Sequence, residues 1–202
     1  MRRLVSGLTM VCAILLFACS APQSGSGDAP KAAIQSVRTP LSPASCEKKA
    51  DMSDPDETPY LLCPGAAGYS LIVRKVESGR KSVDVVDAAG QAHPLNFQET
   101  ITRSMSNLTG EAEWRVASRG GKQVPAALIV HVQARENADD PETVTHTYAA
   151  VAKLTPDSVC VTDRIPAGTK TEEQILAIAD SAASRACAPP QPPLSENGEA
   201  QP

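Results

Sequence analysis

The chain has 202 residues, with 19 Lys and Arg against 23 Asp and Glu, a formal charge of −4. That balance, with no basic stripe and no interleaving of basic and aromatic residues, argues against nucleic-acid binding. No apolar run of 18 or more follows the N-terminus to suggest a membrane span.

At the N-terminus, Arg2 and Arg3 precede an uncharged and largely apolar run from Leu4 to Ala18. It is too short for a lasting transmembrane helix and has the layout of a secretory signal peptide, residues 1–18. Removing it takes away two arginines and no acid, leaving 17 basic and 23 acidic residues and a charge of −6. Leu16-Phe17-Ala18-Cys19 resembles the lipobox of bacterial lipoproteins, in which the cysteine becomes the acylated mature N-terminus. The resemblance implies that Cys19 is a lipid anchor to the membrane. It also implies that Ser20 directs the protein to the outer membrane of a Gram-negative cell, facing the periplasm. Several acyl chains make such an anchor persistent, since each buried methylene contributes about 0.8 kcal/mol.

Residues 20–45 are rich in Ala, Pro, Ser and Gly and poor in large apolar groups, so they read as a flexible tether. As a coil its mean span is roughly 30 Å. Residues 188–202 read as a disordered, Pro-rich tail on the same grounds. About 140 residues between the two, positions 46–187, suffice for a single domain.

Within that domain, Tyr60 to Cys63, Tyr69 to Val76 and Lys81 to Asp87 are expected strands, the last two a hairpin. Phe97, Ile101, Met105 and Leu108 recur at near-helical spacing after Asn96, with Glu99 placed for a capping box, and predict a helix. Glu111 to Ala117 alternates, with Ala112, Trp114 and Val116 on the expected core side. Val124 to Arg135 and Val144 to Leu154 form an expected antiparallel pair around "ENADDPE", and Ser158 to Thr162 a further strand. Thr171 with Gln174 in the box position opens a C-terminal helix carrying Ile175, Ile178, Ala179, Ala182 and Ala186 on one stripe. The expected fold class is α+β: an antiparallel sheet of about five to six strands with the C-terminal helix packed on it.

Once Cys12 leaves with the leader and Cys19 is acylated, Cys46, Cys63, Cys160 and Cys187 remain. An even set in an exported chain suits two disulfides, of which three connectivities exist. The local pairing, Cys46 with Cys63 and Cys160 with Cys187, is favoured because each closes a short loop. A four-thiolate zinc site is the rival, but the chain has no Cys-x-x-Cys pair.

The residues that could do chemistry are few. A register in which paired positions sum to 277 sets His131 opposite His146, a potential metal seat, and Arg135 opposite Glu142. His93 would have to arrive from elsewhere. No Gly-x-Ser-x-Gly elbow, calcium loop or complete phosphate loop occurs. The acidic clusters at Asp51, Asp54, Asp56 and Glu57, and at Glu136, Asp139, Asp140 and Glu142, read as solvated loops. Asn107-Leu108-Thr109 is a glycosylation sequon that a bacterial lipoprotein would rarely use. No catalytic constellation, metal or cofactor is expected.

Cys63-Pro64-Gly65, Gly68-Tyr69, Arg80, "AEWRV" at 112–116, "PAALIV" at 125–130 and "VCVTD" at 159–163 resemble a group of uncharacterised exported bacterial proteins. The resemblance covers Cys46 to Cys187 and implies a small disulfide-containing domain. A looser one is to the membrane-bound lipoprotein inhibitors of lysozyme, small lipid-anchored β-rich domains that plug an acidic cleft with a Ser and a basic residue from loops. Ser78-Gly79-Arg80-Lys81 and Ser118-Arg119-Gly120-Gly121-Lys122 are similar to those loops, although the family's Ser-Gly-x-x-Tyr pattern is absent. Arg80, Lys81, Arg119 and Lys122 are therefore the partner-binding residues to examine. The leading expectation is a non-enzymatic envelope lipoprotein that binds a protein or peptidoglycan partner. Its alternatives are lysozyme inhibition through the basic turns, and an enzyme or metal carrier.

Overall fold

The structure is a computed structural model describing residues 33–50, 59–76, 79–137 and 139–192. The signal peptide, Cys19, Ser20, the acidic cluster from Asp51 to Glu57, Ser78 and residues 193–202 lie outside the described residues.

Among the described residues ten strands form two antiparallel sheets of five, so the fold is mainly β. One sheet has the order β1 (Ile34–Pro40), β7 (Met105–Arg119), β8 (Lys122–Arg135), β9 (His146–Thr155) and β10 (Ser158–Pro166). The other is a simple meander of β2 (Glu47–Lys49), β3 (Tyr60–Pro64), β4 (Ser70–Lys75), β5 (Lys81–Val86) and β6 (Ala92–Pro94). The described residues also include two short helices, α1 (Phe97–Thr100) and α2 (Glu172–Asp180), and a 3-10 turn at Ala182–Ser184.

The facing sides of the two sheets share one core. Leu71, Val73, Val83 and Val85 of the meander are buried with Trp114, Leu128, Val130, Val132, Ala150 and Ala152 of the other sheet. A period of two along each strand puts these residues on one side, as for a half-buried strand. β8 and β9 are apolar on both sides, which is why "PAALIV" reads as an unbroken hydrophobic run. Their second side, Ala127, Ile129, Ala149 and Val151, is buried in a separate cluster with Ile165, Ala179 and Ala182.

At the start of α2 the Thr171 side chain accepts from the Gln174 N–H, and the Gln174 side chain accepts from the Thr171 N–H, the reciprocal cap its sequence predicts. Asp180 at the end of α2 takes a forked pair of hydrogen bonds from Arg115 of β7, Nε to Oδ1 at 2.6 Å and Nη2 to Oδ2 at 2.9 Å. Arg115 is buried, so removing its partner strands a charge. Asp180→Asn is expected to lower stability by about 2 kcal/mol, moderated because Asp180 keeps some solvent contact. Urea denaturation of the variant against the parent measures it, and a change under 0.5 kcal/mol would show the pair to be inert.

Four expectations from sequence are corrected. The tether ends earlier than residue 45, because Ile34–Pro40 pairs along its length with β7, from Ile34 opposite Ala117 to Pro40 opposite Glu111. The helix expected over Phe97 to Leu108 is a four-residue turn of helix, and Met105 and Leu108 belong to β7. Asn96 has φ 49° and caps nothing with its side chain. The single sheet of five to six strands is instead two sheets of five. Residues 188–192 are held rather than free: the Ala188 N–H donates to Val161 O at 2.8 Å and the Gln191 N–H to Glu99 O at 2.6 Å.

Both disulfides have the local pairing. Cys46 joins Cys63 at one end of the β2–β3 pair, and Cys160 of β10 joins Cys187 beyond α2.

Candidate functional site

A groove of about 470 Å³ lies beside the start of α2, on the outer side of the β1–β7–β8–β9–β10 sheet. Its floor is Ile129 of β8 with Ile175 and Leu176 of α2, and its rim carries Arg38, Glu111, Glu113, His131 and Glu172. Strand alternation explains the set: Arg38 and Glu113 are directly opposite on β1 and β7, on the side away from Trp114.

Arg38 bridges two of the carboxylates, with Nη2 2.7 Å from Glu172 Oε1 and 3.3 Å from Glu113 Oε2. Glu113 first, and then Glu172, raises the pKa of that exposed guanidinium. Glu113 also accepts from the Ser36 hydroxyl, and Arg115 donates to the same Ser36 oxygen. With one cation against three carboxylates, the rim has a charge of −2 when His131 is neutral. An apolar floor under an acidic rim suits a partner presenting an amine or guanidinium on an apolar element. No sequence pattern announced this groove, because its residues come from β1, β7, β8 and α2.

A second polar assembly gathers around Glu136, just after β8. Its carboxylate accepts from the Tyr148 hydroxyl (3.1 Å to each oxygen) and from the Thr102 hydroxyl at 2.9 Å. His146 Nδ1 lies 2.9 Å from it and Arg164 Nη2 3.5 Å, while the Arg164 guanidinium sits 3.8 Å from the centroid of the Tyr148 ring. Burial, with a smaller push from the Glu136 charge, raises the Tyr148 hydroxyl to about 12 despite the opposing pull of Arg164. A raised phenol favours the protonated form, so its contribution is complete below about pH 10 and is lost as pH climbs toward 12. Unfolding free energy should fall by up to about 2.5 kcal/mol over that interval, and the fall should be shallower in Tyr148→Phe. Equal slopes for both proteins would remove Tyr148 as the cause.

The histidines do not converge. The β8–β9 register pairs Ala134 with His146 and His131 with Ala149, so positions sum to 280 rather than 277. An offset of three residues puts His131 and His146 on opposite sides of the sheet. Arg135 pairs with Met105, and Glu142 lies in the turn before β9. His93 is on β6, with Nε2 3.1 Å from Asp87 Oδ2. That hydrogen bond is the main cause of the lowered pKa of the half-buried Asp87. Among the described residues no group of three His, Cys, Asp or Glu is placed to hold a metal ion. Asp139, Asp140 and Glu142 are exposed in the β8–β9 connection, and of that acidic cluster Glu136 alone is drawn into a network.

The four basic residues singled out in the sequence do not form one surface. Arg119 and Lys122 flank the Gly120-Gly121 turn, whose φ values of 56° and 76° suit the tight hairpin there. Arg80 donates from Nη1 to Arg103 O at 2.8 Å, just before the opposite end of β7. The two turns are thus separated by the contour of β7, roughly 45 Å at the usual strand rise. Lys81 lies on the core-facing side of β5, directly opposite Lys75 of β4. The four basic residues therefore come from two different turns at opposite ends of β7. Compared with protein-family models, curated proteins and solved structures, the chain matches none of them significantly.

Proposed function

We propose that this chain is a non-enzymatic envelope lipoprotein, anchored through Cys19 to the outer membrane and facing the periplasm, that binds a protein or cell-wall partner. The groove beside α2 carries the reading: about 470 Å³, apolar at its floor, with three carboxylates and one arginine at its rim. Such a surface selects a partner with a cationic group on an apolar body, such as the free amine of a peptidoglycan stem peptide or a basic segment of an envelope protein. The lipobox resemblance, with Ser20 after the cysteine, supports the address. Two disulfides suit an oxidising compartment.

The intact chain is expected to sediment with purified peptidoglycan sacculi and to be released when their amines are acetylated. A Glu111→Gln/Glu172→Gln variant should bind at least tenfold more weakly, and salt should weaken binding of the parent. If the partner is a protein, a photocrosslinker at Leu176 should give one discrete envelope adduct that the same variant loses. Absence of both outcomes, or equal binding by the variant, would sink the reading.

A further inference from the structure

The open end of the sandwich, where β4 and β5 face the bend of β7, has a composition unlike the rest of the core. Leu71 and Val73 of β4, and Val85 and Val83 of β5, point into the core, and the next positions on that side of the two strands, at the rim of the core, are the exposed Lys75 and the half-buried Lys81. These two lysines are directly opposite one another. Like charges so placed are destabilising, and among the described residues neither ammonium has a carboxylate within ion-pairing distance. Between them and the core is a cleft of about 320 Å³ whose apolar wall is Leu41, Leu61, Val73 and Leu108. Gly110, which interrupts the β7–β8 pairing and accepts from the Leu41 N–H at 2.9 Å, shapes its far side. Arg74 also borders the cleft, but its Nε is 2.6 Å from Asp84 Oδ2 and its guanidinium lies over the Tyr60 ring, so its charge is directed to the outer side of the sheet.

We propose that this cleft binds a single-chain fatty carboxylate, its alkyl chain between the sheets and its head between Lys75 and Lys81. Two cross-strand side chains with Cβ atoms about 5 Å apart can both reach one carboxylate, and an anion there relieves their mutual repulsion. A wall of leucine and valine supplies the other half of the recognition. The volume is near the lower limit, about 300 Å³, of small-molecule sites, which admits one chain and not the two of a membrane phospholipid. This site shares only Gly110 with the groove beside α2 and none of its charged groups, so either can fail without the other.

The probe is dodecanoate bearing a terminal diazirine, photolysed with the intact chain, with adducts mapped by mass spectrometry. Labelling is expected at Leu41, Leu61, Val73 or Leu108. Excess dodecanoate should compete and dodecyltrimethylammonium should not. Lys75→Gln/Lys81→Gln should reduce labelling at least fivefold with a melting temperature no lower than the parent's, since the paired charges repel, and either single variant should give a partial loss. Adducts elsewhere, equal competition by the cationic amphiphile, competition by phosphatidylglycerol vesicles as strong as by dodecanoate, or undiminished labelling of the double variant would each overturn the proposal.

Discussion

Trp114→Ala is expected to cost about 3 to 5 kcal/mol of unfolding free energy, close to the whole stability of a marginal domain. Trp114 is fully buried, and its Nε1–H donates to Thr39 Oγ1 at 2.9 Å. Its ring meets Tyr69 edge-on, with centroids 6.2 Å apart. Truncation therefore leaves a cavity between the sheets, an unpaired hydroxyl and an aromatic contact without its partner. Gly65 shows how closely the indole is enclosed, since a Cβ there would sit 2.8 Å from Trp114 Cζ2 and 2.4 Å from Tyr69 O.

Guanidinium denaturation followed by circular dichroism measures the loss, because the variant lacks the chain's single tryptophan. Thr39→Val, which keeps the volume and removes the acceptor, should cost about 1 to 3 kcal/mol for the stranded indole N–H. That second variant also tests whether residues 34–40 belong to the fold, since a tether residue would have no effect. A Trp114→Ala cost below 1 kcal/mol would contradict the packing described here.

Removing the Cys160–Cys187 bond with Cys160→Ala/Cys187→Ala is expected to lower stability by roughly 3.5 kcal/mol, the chain-entropy value for a loop of this size. The sequence separation is 27 residues, against 17 for Cys46–Cys63, for which the same relation gives roughly 3 kcal/mol. The first bond also has a local task. It fixes the chain beside β10 where Ala188 donates to Val161, from which Gln191 goes on to meet Glu99, Thr100 and Arg103. Hydrogen exchange at Ala188 and Gln191 should therefore accelerate in this variant far more than in Cys46→Ala/Cys63→Ala. Equal protection in both variants would mean that the Pro-rich segment is held by its hydrogen bonds alone. Peptide mapping without reductant should recover both bonds, and a crossed pairing would overturn the assignment.

The parts of the fold that could be read along the chain are those whose information is local. The reciprocal cap of Thr171 and Gln174 lies within four residues, and the alternation of Ala112, Trp114 and Val116 identifies a strand and its buried side from one segment. Hairpins β4–β5 and β8–β9 were legible because their turns carry the polar residues such turns need. Cysteine pairing followed from loop length, since the two local bridges join neighbouring strands or a strand to the segment after α2.

What required tertiary structure was everything decided by a distant partner. β1 has an undistinguished sequence, "IQSVRTP", and becomes a strand because β7 offers an unpaired edge and Trp114 needs the Thr39 hydroxyl. Phe97, Ile101, Met105 and Leu108 keep a helical spacing, yet Met105 and Leu108 are drawn into β7 because pairing with β8 satisfies their backbone groups over a far longer ladder. The His131–His146 pairing failed on a register set by the burial of Ala134 and Ala149 within the sheet, and period two carries even a small odd slip to the other side. The acidic groove beside α2 and the paired lysines at the sandwich mouth were both invisible for one physical reason: residues far apart in the chain become neighbours only when strands pair and sheets stack, and no local pattern records which strands will do so.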